Sequence, residues 1–429
     1  MPAVHLGTRP IVGFFCYTIT FLSTNFLARS NLESNIQDGD DQSILEMLSP
    51  HTQAKLPKDR QPGFLVLQDG SVFQGYQFGR RIETSGEVVF STSMVGYPEA
   101  LTDPSYQGQI LTLTYPLVGN YGVPSNELDG FQTLCHFESD AIRVRGLIVH
   151  ELCERPSHWT STKSLDEWLS AEGVPGLGGV DTRRLTRLLR SYGVLPGTLC
   201  FPDAGVALAD ESSLKVGRIE DPNRRNLVAE VSTRSPILYG PENGPRVVLV
   251  DCGVKHSIIR NLRKCDLTVI RIPYDTPADE ILSYKPKGIV LSNGPGDPSI
   301  CTATIESTRT LLETGLPIMG ICLGIQILAL AARAKTFKMK YGHRSQNQPV
   351  VDCENGRAYV TTQNHGYAVD RRSLESSGMK LWFLNANDQT VEGFKFPNKP
   401  VFGVQWHPEA TPGPMDTEFL FDEFAKEVK

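Results

Sequence analysis

The chain has 429 residues, of which 40% are hydrophobic and 21% charged, with a net charge of -6. That length predicts two domains plus tails rather than one compact unit, and the acidic balance argues against a nucleic-acid footprint. Nine cysteines, an odd number with no C-x-x-C pair, argue against a disulfide framework or a zinc site and point to a reducing compartment.

Residues 1–62 differ from the rest. Up to Leu32 they carry no acidic residue, and Arg9 and Arg29 flank a stretch rich in Ser, Thr and bulky apolar side chains. This composition reads as an organelle transit segment, which would place the protein in the mitochondrial matrix, as a signal or anchor sequence, or as a disordered tail or mispredicted start on a cytoplasmic protein. The Thr, Ser and Asn within the apolar stretch argue against a stable membrane span. The polar stretch NLESNIQDGDDQ that follows reads as linker.

From Gly63 the pattern becomes short alternating runs. GFLVLQ, Asp69-Gly70 and SVFQGYQF predict a hairpin, with Asp-Gly supplying the positive dihedrals of a tight turn. EVVFSTSMVG and QILTLTYPLVG predict further strands, and SLDEWLSAEGV a helix. VDTRRLTRLLRSYG predicts another, capped by Asp181 or Thr182 and stopped by Gly193. Residues 63–200 therefore form an N-terminal α+β domain. Residues 201–245, rich in Pro, Asp, Asn and Gly, read as a connector.

At Arg246 a second rhythm begins. VVLVDCG, LTVIRIP, GIVLSNG and PIMGIC read as buried strands, alternating with the helix-like HSIIRNLRK, PADEILSY, TIESTRTLLET and GIQILALAARA. Right-handed crossovers at this spacing predict a doubly wound, mostly parallel α/β sheet of flavodoxin-like type over residues 246–429. In such sheets ligands lie beyond the carboxyl ends of the strands.

Cys322 sits there. It ends PIMGIC and opens GIQILALAARA, with Gly320 and Gly324 on either side allowing a sharp strand-to-helix turn that exposes the thiol. The helix N-terminus adds partial positive charge, which favours a thiolate. On local sequence alone a packed thiol is an equal reading. PVFGVQWHPEA supplies the second half: in extended chain His407 and Glu409 point to one side, so the carboxylate can orient the imidazole as in an acyl-transfer triad. Lone His-Pro-Glu sequences are more often strand-end turns, and the pairing with Cys322 decides between the readings. The loop Leu291–Pro298, LSNGPGDP, offers glycine-flanked backbone N–H groups for an oxyanion, although a plain turn also fits.

GICLGIQ followed by a distant WHPEA resembles the class I (triad) glutamine amidotransferases, with Ile325 standing where histidine is common. Over residues 63–428 the chain further resembles the carbamoyl phosphate synthetase small-chain family. GEVVFSTSMVGYPEALTDPSYQGQILTLTYPLVGNYG, GVDTRRLTRLLR, AKTFKMK, TQNHGYAVD and TPGPMDTEFLFDEF carry that resemblance, and Ser345 stands where glycine is usual. It implies a Cys322, His407 and Glu409 triad that hydrolyses L-glutamine through a γ-glutamyl thioester. It also implies that Ser105, Gly294, Gly296, Leu323, Gln326, Asn364, Gly366 and Tyr367 contact glutamine. By the same resemblance the ammonia passes to a large synthetase chain, separate or fused, which uses ATP and Mg to make carbamoyl phosphate for arginine, pyrimidine or urea synthesis. No cofactor, metal, nucleic acid or membrane is implied for this chain. Two alternatives stay open: the glutaminase part of another amidotransferase, which residues 63–200 disfavour, and a non-catalytic regulatory subunit, which the intact triad disfavours.

Overall fold

The computed structural model describes residues 60–202 and 220–429. The transit-segment reading, the linker that follows it and residues 203–219 of the connector lie outside these residues.

The first half is built on β1 (Pro62–Leu67), β2 (Val72–Gly79), β3 (Thr84–Ser91), β4 (Gln109–Leu113), β5 (Leu117–Val118), β6 (Gly146–Ile148), β7 (Glu151–Leu152), β8 (Pro175–Gly178) and β9 (Leu195–Cys200). Seven of these strands close into a barrel in the order β1-β2-β8-β6-β4-β3-β9, which leaves no open edge. The predicted hairpin is present, with Phe64 opposite Gln74. Only Gly70 of its turn takes a positive φ (89°), while the Asp69 carboxylate accepts from Ser71 N at 2.9 Å. The helix Thr182–Tyr192 is capped by Asp181, which accepts from Arg184 N, and it ends at Gly193 as predicted. The helix Leu165–Ala171 carries a full capping box between Ser164 and Glu167.

Within the stretch read as connector, Ile237–Tyr239 is an edge strand, β10, pairing antiparallel with β12. The second half continues with β11 (Arg246–Asp251), β12 (Thr268–Pro273), β13 (Gly288–Leu291), β14 (Ile318–Ile321), β15 (Thr336–Asp352), β16 (Ala358–Val369), β17 (Lys380–Asn385), β18 (Val391–Lys395) and β19 (Val401–Val404). The ten-stranded sheet runs β10-β12-β11-β13-β14-β19-β18-β16-β15-β17. Its β12-β11-β13-β14-β19 portion is parallel, and the flanking strands are antiparallel. Val248 and Val250 join the apolar cluster on one face, Val247 and Leu249 the cluster on the other. Burial on both faces explains why β11 reads as an unbroken apolar run, and each such side chain contributes roughly 1.5–3 kcal/mol.

This order decides where chemistry can occur. The strands β11, β13, β14 and β19 are neighbours, so the segments leaving their carboxyl ends converge: Lys255 after β11, Asn293–Asp297 after β13, Cys322 after β14 and His407 after β19.

Candidate active site

Cys322 occupies the turn between β14 and the helix Leu323–Ala331, with φ 54° and ψ -103°. Such a backbone is strained for a side-chain-bearing residue, and neighbouring glycines make it feasible. A Cβ on Gly324 would lie 2.2 Å from the Leu291 carbonyl oxygen, and one on Gly320 would lie 2.7 Å from the Gly324 carbonyl carbon. The Cys322 amide donates to Val404 O at 2.9 Å and its Sγ lies 3.6 Å from Asn364 O. The thiol is not exposed as predicted: Cys322 is 2% accessible. The Ser105 turn from the barrel half and the segment around Asn364 in β16 line the same cleft, so the elbow opens into that cleft rather than into bulk water.

His407 and Glu409 come together by a different route from the one predicted. The strand β19 stops at Val404, and His407–Glu409 form a turn, with Ala410 N donating to His407 O at 3.1 Å and His407 N to Thr362 O at 2.9 Å. Extended alternation therefore does not align the pair; the turn does. His407 Nδ1 lies 2.6 Å from Glu409 Oε1. Nε2 is buried and has no hydrogen-bond partner among the described residues, and the Cys322 thiol acts on the imidazole electrostatically. Burial alone would lower the imidazole pKa, but the Glu409 charge and Cys322 outweigh it and raise the value above 6.5.

Lys255, absent from the sequence-based site, completes this arrangement. Its Nζ is buried 3.1 Å from Glu409 Oε1 and donates to Ala410 O and Thr411 O, each at 3.2 Å. Burial works against the Glu409 charge, yet Lys255 and His407 hold its pKa down at about 2. A lysine two residues past DCG, at the carboxyl end of a parallel strand, was the available signal.

Ser105, Gly294, Gly296, Leu323, Gln326, Asn364, Gly366 and Tyr367 all line one cleft with Cys322. Ser105 Oγ accepts from Asn293 Nδ2 at 2.9 Å, and Asp103 binds Asn364 Nδ2 at 3.0 Å. The barrel half therefore touches the sheet half at the site itself. Gln326 Nε2 donates to Tyr367 O at 2.9 Å and to Gln405 Oε1 at 3.1 Å. Gly294 has no room for a side chain, since a Cβ would lie 2.1 Å from Cys252 O, and Gly296 has φ 84°. Ile325 is fully buried in the apolar cluster under the elbow and packs on Gly403, so its departure from the family pattern is a packing feature. Ser345 is paired with Gln363 in the strand ladder, without a positive φ.

His343, His365 and Glu392 bring three ligand-type atoms within 4.8 Å. These atoms already serve one another and their neighbours. His343 Nε2 lies 2.9 Å from Asp388 Oδ2, His365 Nδ1 lies 2.8 Å from Tyr367 O, and Gln363 and Asn385 each donate to Glu392 at 3.0 Å. This is a buried ionic network behind Asn364. Burial opposes the charge on His343, but Asp388 and Glu392 raise its pKa to about 9.

Comparison with known proteins matches both halves. The profile of the carbamoyl-phosphate synthase small chain, CPSase domain, matches residues 65–199, and that of glutamine amidotransferase class-I matches residues 248–427. The carbamoyl phosphate synthase small chain of Pyrococcus furiosus is 47% identical over 366 residues, 85% of this chain and 97% of that one. The chain belongs to the carbamoyl phosphate synthase small-chain family. Within it, an arginine-specific small chain of Neurospora crassa is 46% identical over 85% of this chain and 79% of that one. The arginine-specific small chain of Chaetomium globosum is 42% identical over 421 residues, 97% of this chain and 89% of that one, so that match extends into the segment before residue 60. As for the membrane, no helix among the described residues is long and apolar enough to cross one.

Proposed function

We propose that this chain is the glutaminase of a carbamoyl phosphate synthase, hydrolysing L-glutamine at Cys322 and delivering ammonia to a large synthetase chain. The observation that carries the reading is the 2.6 Å contact of His407 Nδ1 with Glu409, which leaves Nε2 as the free ring nitrogen of an imidazole on which the strained, glycine-flanked Cys322 acts. Membership of the small-chain family supplies the substrate and the partner.

The steps follow from that geometry. With Nδ1–H donating to Glu409, Nε2 is the nitrogen free to exchange protons with Cys322 and the substrate. The Cys322 thiol passes its proton to His407 Nε2 and the sulfur attacks the carboxamide carbon of glutamine, forming a C–S bond and moving the carbonyl electron pair onto oxygen. Backbone N–H groups near Gly296 and Leu323 hold that oxyanion, at roughly 3 kcal/mol per donor in comparable sites. His407 gives its Nε2 proton to the amide nitrogen, the C–N bond breaks and ammonia leaves. Water then loses a proton to His407 and attacks the γ-glutamyl thioester, and the C–S bond breaks to release glutamate as His407 returns that proton to the sulfur. The glutaminase steps draw on side chains and backbone alone, while ATP and Mg act in the partner. The arginine-specific relatives, one matching into the N-terminal segment, favour carbamoyl phosphate for arginine synthesis.

A chloroketone analogue of glutamine tests the assignment. Mass spectrometry of the folded chain should find Cys322 modified well ahead of the other cysteines, with L-glutamine protecting. Modification spread over several cysteines, or sparing Cys322, would refute it.

A further inference from the structure

Lys255 holds Glu409, yet it opens a helix that has no cap of its own. It is the N-cap residue of His256–Lys264, with φ -77° and ψ 138°, and its side chain makes no capping bond. A lysine there offers no side-chain acceptor to the free amides of the first turn. The barrel half supplies what is missing. Glu138, in the loop between β5 and β6, is fully buried, and its backbone oxygen accepts from His256 N at 2.9 Å. Its Oε2 accepts from Ser257 N at 3.1 Å and from the Ser257 hydroxyl, while Oε1 accepts from Arg260 at 2.8 Å. A carboxylate at this end also complements the helix dipole. Glu138 is itself fixed: its amide donates to Thr102 Oγ1 at 2.9 Å, and the residue after Thr102, Asp103, accepts from Asn364 of the sheet half at 3.0 Å. One barrel segment therefore holds both a wall of the cleft and, through Glu138, the start of the lysine's helix.

The helix has apolar anchorage too, since Ile258, Ile259 and Leu262 are fully buried. Apolar contact is non-directional, so it keeps the helix on the sheet without fixing its rotation or axial position. The directional bonds lie at the N-terminus, where Lys255 Nζ must meet Glu409 Oε1 at 3.1 Å and two carbonyl oxygens at 3.2 Å. We infer that Glu138 is a positioning residue of the glutaminase, which caps this helix from the barrel half and thereby keeps Lys255 on Glu409 and the Glu409–His407 pair aligned with Cys322. This rests on the glutaminase reading and adds to it a way in which the barrel governs a triad drawn entirely from the other half. The charges facing Lys255 are Glu409, Glu138, Asp103 and Glu99, and the titratable groups around His407 are Glu409, Lys255, Cys322 and His365. On His407, burial and the Lys255 charge lower the pKa, while Glu409 and Cys322 raise it. A Lys255 that slips from its place lets the His407 pKa rise, which moves the alkaline limb of glutamine hydrolysis to higher pH.

The test uses the full chain assembled with its synthetase partner, as wild type, Glu138→Ala, Lys255→Met and the double variant. Glu138→Ala should lower kcat for glutamine about 10-fold with KM within about twofold, because misplacing a group by about 1 Å costs up to about 100-fold. Its alkaline limb should move up by about half a pH unit, as should that of Lys255→Met. In the Lys255→Met background, Glu138→Ala should cost no more than about a further twofold, since its effect passes through the lysine. Synthesis from added ammonia should stay at the wild-type rate throughout. Glu138→Gln keeps one acceptor oxygen for Ser257 and serves if Glu138→Ala does not fold, with a loss of about threefold and the limb moved the same way. Losses that multiply in the double variant, an unmoved limb, or an effect confined to KM would make Glu138 a structural contact only and overturn the inference. Loss of ammonia-dependent synthesis would place Glu138 in partner docking and overturn it as well. Those outcomes defeat only this inference, whereas wild type that does not hydrolyse glutamine defeats the glutaminase reading itself.

Discussion

Glu409 is a buried carboxylate held between Lys255 Nζ at 3.1 Å and His407 Nδ1 at 2.6 Å. Its depressed pKa means that it stays ionised as pH falls through the range where free carboxylates protonate, until the pH nears about 2. Its charge in turn raises the His407 pKa above 6.5, so the imidazolium persists to higher pH than on a free histidine. The sign of a substitution follows. Glu409→Gln removes the anion and leaves Lys255 facing the imidazole, and both changes lower the His407 pKa. The alkaline limb of glutamine hydrolysis should therefore move to lower pH, with kcat reduced about 10- to 100-fold. A pH profile of the variant with an unmoved limb would show that Glu409 does not set the His407 proton. At this scale Cys322, His407 and Glu409 were legible in the sequence because their spacing and neighbours are diagnostic together. Lys255 and Asp103 were not, because each acts through a partner remote in sequence: Lys255 and Glu409 are brought together only by the sheet order.

Among the elements, the strand-to-helix elbow carries the tightest constraint. Gly324 meets the Leu291 carbonyl so closely that a methyl group there would lie 2.2 Å from oxygen, and backbone cannot yield as a side-chain tip can. Gly324→Ala should thus push the helix Leu323–Ala331 away from β13 and tilt Cys322 from its position. A loss of about 1–3 kcal/mol in stability is expected from overpacking, read as a lower urea midpoint, together with a drop in glutaminase activity larger than the stability loss explains. Activity and midpoint both at wild-type values would mean the elbow has slack that its geometry denies. The alternating strands and helices of the parallel portion were readable because both-face burial writes unbroken apolar runs. The barrel was not. β6 and β8 are the short runs GLI and PGLG, with too few side chains to show alternation. The long strand β15, TFKMKYGHRSQNQPVVD, is largely polar, and its pairing with β16 is broken by register shifts. Backbone pairing across bulges holds it in place, and that leaves little trace in a hydrophobicity pattern.

Across the whole molecule, the barrel and the sheet half meet through buried polar contacts. Glu138 accepts from Arg260 at 2.8 Å and from the Ser257 amide at 3.1 Å, Glu87 pairs with Lys338 at 2.7 Å, and Asp103 holds Asn364. Beside Glu87 and Lys338 a wider cavity of about 940 Å³ adjoins the cleft and shares both residues with it. The cleft thus depends on both halves, which gives the barrel a direct part in the glutaminase site besides any contact with a partner. The change of rhythm near residue 246 was legible as the start of the large sheet, where β11 begins, whereas the interlock was not, since polar contacts between distant segments carry no periodic signature. The central claim is that Cys322 serves nitrogen release and no later step. Cys322→Ser reconstituted with the large synthetase chain should lose carbamoyl phosphate synthesis from glutamine by at least about 10³-fold and keep synthesis from added ammonia at the wild-type rate. A properly assembled variant that still used glutamine, or that lost both nitrogen donors together, would contradict it.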